Sequence, residues 1–255
     1  MIALTFTNKT SKTKFEGTFL LDSTEYEYTL YLLPIKKKRE YDEIVNYFGN
    51  RRFKGKICLN VDTQAIKDYL DHNIVSAFIT VKPINYDNVA SGTLQIYNWC
   101  NTSSEVSPKS QNMDEYDVWI NDVCRVSSYG NSGNPLKALF YFMEQLVIQN
   151  LGKTNIKLYI ENEPSNVSVL KPKYKSLGFV KNSNINPEIC PNWEGTEIVM
   201  EKMGLTEKQH VIKFDFLKSS KTTRTATTRN TMGGGITKRN KKNNHNKNKL
   251  TKRKK

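Results

Sequence analysis

The chain has 255 residues, long enough for one large domain or two small ones, with 37% hydrophobic residues and a formal net charge of +14. No apolar run reaches the length that spans a bilayer, and the start MIALTFTNKTSK lacks the basic-then-apolar pattern of a signal peptide. The four cysteines, Cys58, Cys100, Cys124 and Cys190, lie far apart with no C-x-x-C spacing, and His72, His210 and His245 are dispersed. Together these features predict a soluble intracellular protein, cytoplasmic or nuclear, without a membrane association, a metal centre or a disulfide framework.

The charge is unevenly placed. No Asp or Glu follows Asp215, and 14 of the 39 Lys and Arg fall from Lys218 onward, which leaves 25 basic against 25 acidic residues in 1–217. The last stretch, TTRNTMGGGITKRNKKNNHNKNKLTKRKK, has almost no large apolar residue, so it buries too little surface to offset the entropy of ordering. Residues 1–217 are expected to form one neutral domain, and 218–255 a disordered basic tail.

In chain order, FEGTFLLDSTEYEYTLYLLPI (15–35) predicts two strands around a polar turn at Asp22–Thr24, with residues 1–25 as an N-terminal strand extension. KKREYDEIVNYFG (37–49) places Tyr41, Ile44, Val45 and Phe48 at helical spacing and stops at Gly49. KICLNV (56–61) reads as a short strand, and QAIKDYLDH (64–72) as a second helix capped by Asp62 or Thr63. IVSAFITVKPI (74–84) and SGTLQIYNW (91–99) form a hairpin around NYDN, and the polar residues 101–115 form a loop.

YDVWINDVCRV (116–126) is the next strand and feeds into YGNSGNPLKALFYF (129–142), a Gly/Asn/Ser turn that becomes a broadly apolar helix. NIKLYI (155–160) is a strand, PSNVSVL (164–170) a short helical stretch that Pro172 interrupts, GFV and TEIVMEKM (196–203) the last core strands, and HVIKFDFL (210–217) an edge strand. The intermixed order predicts an α/β (α+β) fold, with a right-handed crossover at 117–160 between two parallel strands.

A Gly-rich turn between strand and helix presents main-chain N–H groups at the positive end of the helix dipole, where phosphates bind; Asn134 suits the N-cap and Pro135 the first helical position. The same residues also suit a turn that holds no ligand. One strand and one short helix later comes YKSLGF (174–179). This Tyr-x-x-Leu-Gly-Phe, at that distance from a Gly turn and a buried helix, resembles the GNAT superfamily of N-acetyltransferases. The element order of residues 26–203 also fits that family.

The resemblance implies a mixed, mostly antiparallel central sheet flanked by helices, in which a splayed parallel strand pair holds the pantetheine of acetyl-CoA. It implies an acetyl-CoA-dependent N-acetyltransferase in which a primary amine attacks the thioester directly. Tyr174 takes the place of the tyrosine that protonates the departing thiolate, or else packs beside Phe179. Pantetheine would pair with the backbone of Val123, Cys124, Arg125 and Val126. The pyrophosphate would sit on Asn131, Ser132, Gly133 and Asn134, with Asn166 as a further contact. The turn departs from the family pattern at Gly130, where Gln or Arg is usual, and at Pro135, which removes an N–H.

For the base, strand alternation puts Val118, Ile120, Asp122, Cys124 and Val126 on one face, so Asp122 interrupts an apolar row where desolvation would raise its pKa. A bulge would shift this register, and Asp117, Glu161 or a structural role for Asp122 stay open. Other readings are a catalytically degenerate GNAT-like scaffold, and a nucleic-acid-associated protein. The tail clusters KRNKK and KRKK suit non-specific binding to nucleic acid, and equally a nuclear-import signal or a solubilising role.

Overall fold

In the computed structural model, residues 6, 10–49, 63–84, 86, 89–97, 116–126, 134–183, 197–208 and 212–214 are described. The chain divides into two units, Met1–Lys221 and Thr222–Lys255, and all described residues belong to the first. The expected strand at 56–61, the loop 101–115, the turn residues 127–133 and the tail lie outside the described residues.

Strands β1 (Lys14–Leu21) and β2 (Thr24–Leu32) pair antiparallel. The turn between them is Asp22–Ser23, with φ of 49 and 62. Two positive φ values give a two-residue hairpin whose twist matches that of the strands, and Asp tolerates that conformation better than most side chains. Helix α1 (Lys38–Ile44) runs into one π-helical turn, Val45–Gly49, and α2 (Thr63–Asp71) follows. Then come β3 (Ala77–Pro83), β4 (Val89–Tyr97), β5 (Asp117–Val126), α3 (Pro135–Leu151), β6 (Asn155–Glu161), α4 (Pro164–Ser176), β7 (Val180–Lys181) and β8 (Glu197–Met203).

The strands form one sheet of order β1-β2-β3-β4-β5-β6-β8-β7. Its pairs are antiparallel apart from β5–β6, which is parallel. This is the mixed, mostly antiparallel sheet with a parallel pair that the resemblance implies.

Each face of the sheet is covered. Ala77, Ile79, Leu94, Ile96, Val118 and Ile120 pack under α3, while Tyr31 and Phe78 join Ile44, Phe48, Ile66 and Leu70 of the α1/α2 side. Helix α3 starts as expected: the Asn134 Oδ1 accepts from the Lys137 N–H at 3.1 Å, and Pro135 opens the helix. Gly152, at φ 64, ends it. The helix is apolar nearly all round because it is covered on its outer side too, by Phe6, Leu205, Ile212 and Phe214 of the same core.

Three expectations need correction. The described part of the predicted edge strand 210–217, residues 212–214, is not a strand: Phe214 stacks edge-on to Phe142 at 5.2 Å, and the Gln149 Nε2 donates to the Ile212 carbonyl at 2.9 Å. The alternation of Ile212 and Phe214 is real, but it faces a helix. Helix α4 continues through Pro172, which is exposed and removes a single main-chain hydrogen bond from a short surface helix. Cys124 is disulfide-bonded, contrary to the expectation from cysteine spacing, since spacing along the chain does not report which sulfurs the fold brings together.

YKSLGF has a clear structural cause. The Phe179 N–H donates to the Tyr174 carbonyl at 3.1 Å, the Gly178 N–H donates to the Lys175 carbonyl at 2.9 Å, and Gly178 has φ 92. This is a Schellman stop for α4, with its accompanying apolar contact made by the Tyr174 and Phe179 rings at 6.3 Å.

Candidate functional site

The parallel pair is short. β5 and β6 register at Trp119↔Lys157 and Ile120↔Leu158, after which β5 runs on to Val126 beside β4, and β6 to Glu161 beside β8. Each strand keeps its outer neighbour, so the two part into a V. The backbone of Val123, Cys124, Arg125 and Val126 lies on the β5 limb, hydrogen-bonded to β4 along one edge and turned to the V along the other. Main-chain groups on such an edge need partners, and an extended amide-bearing ligand supplies them.

At the start of the V, β5 carries one extra residue. Gly92 pairs with Val123 and Thr93 with Asn121, which leaves Asp122 as the bulge. This overturns the expected face for Asp122. Val118 and Ile120 stay under α3, Val123 packs against that core in the place alternation gives to Asp122, and Asp122 joins the α1/α2 side. Gly92 permits the bulge: a Cβ there would meet the Met143 Cε at 2.9 Å and the Asp122 carbonyl oxygen at 3.0 Å.

Across the α1/α2 face, strand register lines up Phe78, Thr93 and Asn121, and the Tyr159 hydroxyl donates to the Asn121 Oδ1 at 2.9 Å. From α2, Tyr69 hydrogen-bonds both Asp122 and Asn121. Burial, then the charge of Asp122 and the bond to it, pushes the Tyr69 phenol up. Burial and the carboxylates Asp122, Glu197 and Glu161 push Tyr159 up to about 12. Both phenols therefore stay protonated at neutral pH and donate to a site whose charged members are carboxylates. The Thr93 Oγ1 in this row is buried without a hydrogen-bond partner.

The rival carboxylates sit elsewhere. Asp117 pairs with Lys157 at 2.8 Å, at the start of β5 before the strands part. Glu161 is exposed at the end of β6 and accepts from the Asn166 Nδ2 at 3.1 Å, so Asn166 stands at the mouth of the V on the first turn of α4. Tyr174 is half-buried against Phe140, ring centroids 5.8 Å apart, and burial pushes its phenol up. It packs beside Phe179 and also keeps its proton.

Asn134 is more committed than its sequence suggests. Its N–H donates to the Tyr26 hydroxyl at 3.0 Å while its Oδ1 caps the helix, so a phosphate at the start of α3 would rely on its Nδ2 and on Asn131, Ser132 and Gly133, which lie outside the described residues. Tyr69, Thr93, Asn121 and Tyr159 escape a reading by motif, because the fold assembles them from four elements. The adjacent polar pair in WINDV is the sequence signal that could have found the bulge. Among the described residues no three His, Cys, Asp or Glu side chains gather as metal ligands, and no helix is long and apolar enough to cross a membrane.

The chain is similar in structure to a candidate phosphinothricin N-acetyltransferase. That crystal structure matches with a TM-score of 0.34 and 14% identity, covering 71% of this chain and 99% of that one. No protein-family model matches the sequence, and neither does a curated protein.

Proposed function

We propose that this protein is an N-acetyltransferase that moves the acetyl group of acetyl-CoA to a primary amine. The parting of β5 from β6, with a bulged carboxylate at the start of the V, carries the reading. Pantetheine amides pair with the open edge of Val123–Val126, and the pyrophosphate lies over Asn131–Asn134 at the start of α3. Asn166 borders the same mouth.

In the reaction, the amine nitrogen bonds to the thioester carbonyl carbon while a main-chain N–H of β5 polarises the carbonyl oxygen. Asp122, oriented by Tyr69, takes the proton lost by the nitrogen. The C–S bond breaks, and the thiolate takes the Tyr174 proton. Acetyl-CoA supplies the activated acyl group; the protein supplies position and proton transfer. The basic residues of 218–255 bind nucleic acid through phosphate contacts, independently of this site.

Calorimetric titration with acetyl-CoA and CoA tests the first claim, and thiol release over a panel of polyamines, aminoglycosides and peptide N-termini tests the second. Cofactor binding with thiol release supports transfer. Binding without release over the whole panel favours a degenerate, non-catalytic domain. Tyr174→Phe should slow turnover with little change in CoA affinity, and full activity in that variant would remove its role as acid. Replacing the Lys and Arg of 218–255 by Gln should abolish nucleic-acid binding and leave CoA binding in place.

A further inference from the structure

We propose that a cavity on the outer side of α3 binds a small monocarboxylate with an apolar body, its carboxylate held by the Lys208 ammonium and the Tyr141 hydroxyl.

The cavity, of about 280 Å³, lies between the β1–β2 turn, α3, the end of α4 and the chain that follows β8. At roughly 30 Å³ for a water-sized group, that is room for about nine non-hydrogen atoms. Its rim is exposed, at Asp22, Lys137 and Lys208, and its floor is buried, at Phe140, Tyr141 and Leu205. An apolar floor with a few polar groups is the pattern of a small-molecule site. The wall over α3 is fixed from both sides of one amide. The Gln145 Nε2 donates to the Thr206 carbonyl at 3.1 Å, and its Oε1 accepts from the Lys208 N–H at 3.0 Å. Lys208 is thus held by its main chain, with its Nζ 5.8 Å from the centre of the Tyr141 ring.

Charge selects the ligand. Of the three lysines that line the cavity, Lys137 pairs with Asp22 at 2.5 Å and Lys202 with Glu144 at 2.6 Å. Both lining carboxylates are thereby matched, and Lys208 belongs to none of the ion pairs among the described residues. One surplus positive charge suits one carboxylate. A phosphate dianion would stand near Asp22 and Glu144 with a single ammonium to offset it.

An independent observation lies on the floor. Tyr141 is 8% exposed, and its hydroxyl is buried without a hydrogen-bond partner. Burial, and then the charge of Glu144, push this phenol up, so the hydroxyl is within the field of the cavity and keeps its proton at neutral pH. The ring is stacked on Phe19, centroids 6.3 Å apart, so packing accounts for the ring and not for the hydroxyl. A buried donor left unpaired is costly, and a carboxylate oxygen accepts from it.

The test is calorimetric titration of the full-length protein with benzoate, hexanoate, benzamide and inorganic phosphate. Both carboxylates should bind at one site, with benzamide and phosphate at least about 10-fold weaker. Tyr141→Phe and Lys208→Gln should each weaken benzoate binding about 10-fold. Tyr141→Phe keeps the ring and loses only the unpaired hydroxyl, so its unfolding midpoint without ligand should not fall. Circular dichroism checks that Lys208→Gln, at an exposed position, is folded. Benzoate affinity should be the same with CoA present, because the cavity shares no lining residue with the parted strands; the outcome is therefore independent of the acyltransferase reading. Failure of both carboxylates to bind, equal affinity for benzamide or phosphate, full benzoate affinity in either variant, or displacement of benzoate by CoA overturns the proposal.

Discussion

On its α3 side the sheet presents Ala77, Ile79, Leu94, Ile96, Val118 and Ile120 to one continuous core, whereas the side facing α1 and α2 carries Thr93, Asn121, Asp122 and Tyr159 across the middle strands. The first face requires volume and shape, which many apolar residues supply. The second requires each donor and acceptor to meet a particular partner. Substitutions under α3 should therefore act on stability, and substitutions in the polar row on chemistry.

Phe142→Ala, on α3 and against Tyr28 and Phe214, should cost about 3–5 kcal/mol in urea unfolding through lost contacts and the cavity left behind. A loss below about 1 kcal/mol would mean that the core relaxes into the space and the contrast is weaker than drawn. Asp122→Asn should lower thiol release by about 100-fold or more while shifting the unfolding midpoint little. A variant that unfolds easily, yet turns over normally, would place Asp122 among the structural residues.

Gly92→Ala joins the two faces in one substitution. The added methyl reaches Met143 on one side and the Asp122 carbonyl on the other, so stability should fall by about 1–3 kcal/mol and turnover should fall as the bulge shifts. Loss of stability with full turnover would separate the bulge from the chemistry.

The smallest expected effect is at high pH. Tyr159 holds its proton more tightly when folded, with a pKa of about 12 against 10.0. Its contribution is therefore complete below pH 10 and is lost as pH rises toward 12, where the unfolded chain ionises more readily. Tyr159→Phe should flatten part of the fall in stability between about pH 10 and about pH 12 in urea titrations. Tyr31, also raised to about 12, and the other phenols that burial pushes up, Tyr69 and Tyr97 among them, keep the rest of that slope.

Much of the sheet was legible because its strands obey period two and its helices are punctuated. Asn134 and Pro135 mark the start of α3, and Gly178 marks the end of α4, each for a local reason. YKSLGF was the most readable motif, and the structure shows why: it is a helix stop, visible at any sequence distance from a ligand. Asp122 was legible as a polar residue in an apolar strand, but its face was not, since period-two reasoning breaks where one residue is inserted. Tyr69 and Thr93 could not be found by spacing, because α2 and β4 meet β5 only in three dimensions. The stretch 210–217 misled for the opposite reason, since alternating apolar residues cover a helix as well as they extend a sheet.

The hairpin at the beginning of the domain reaches α3 twice: the Tyr26 hydroxyl takes the Asn134 N–H at 3.0 Å, and Asp22 binds the Lys137 ammonium at 2.5 Å. A hairpin whose inner strand, β2, lies three places from β5 in the sheet order thus clamps the start of α3. Anyone trimming this protein to a minimal domain should keep β1, β2 and their turn, and should attach tags or labels at some other place than Asp22–Ser23.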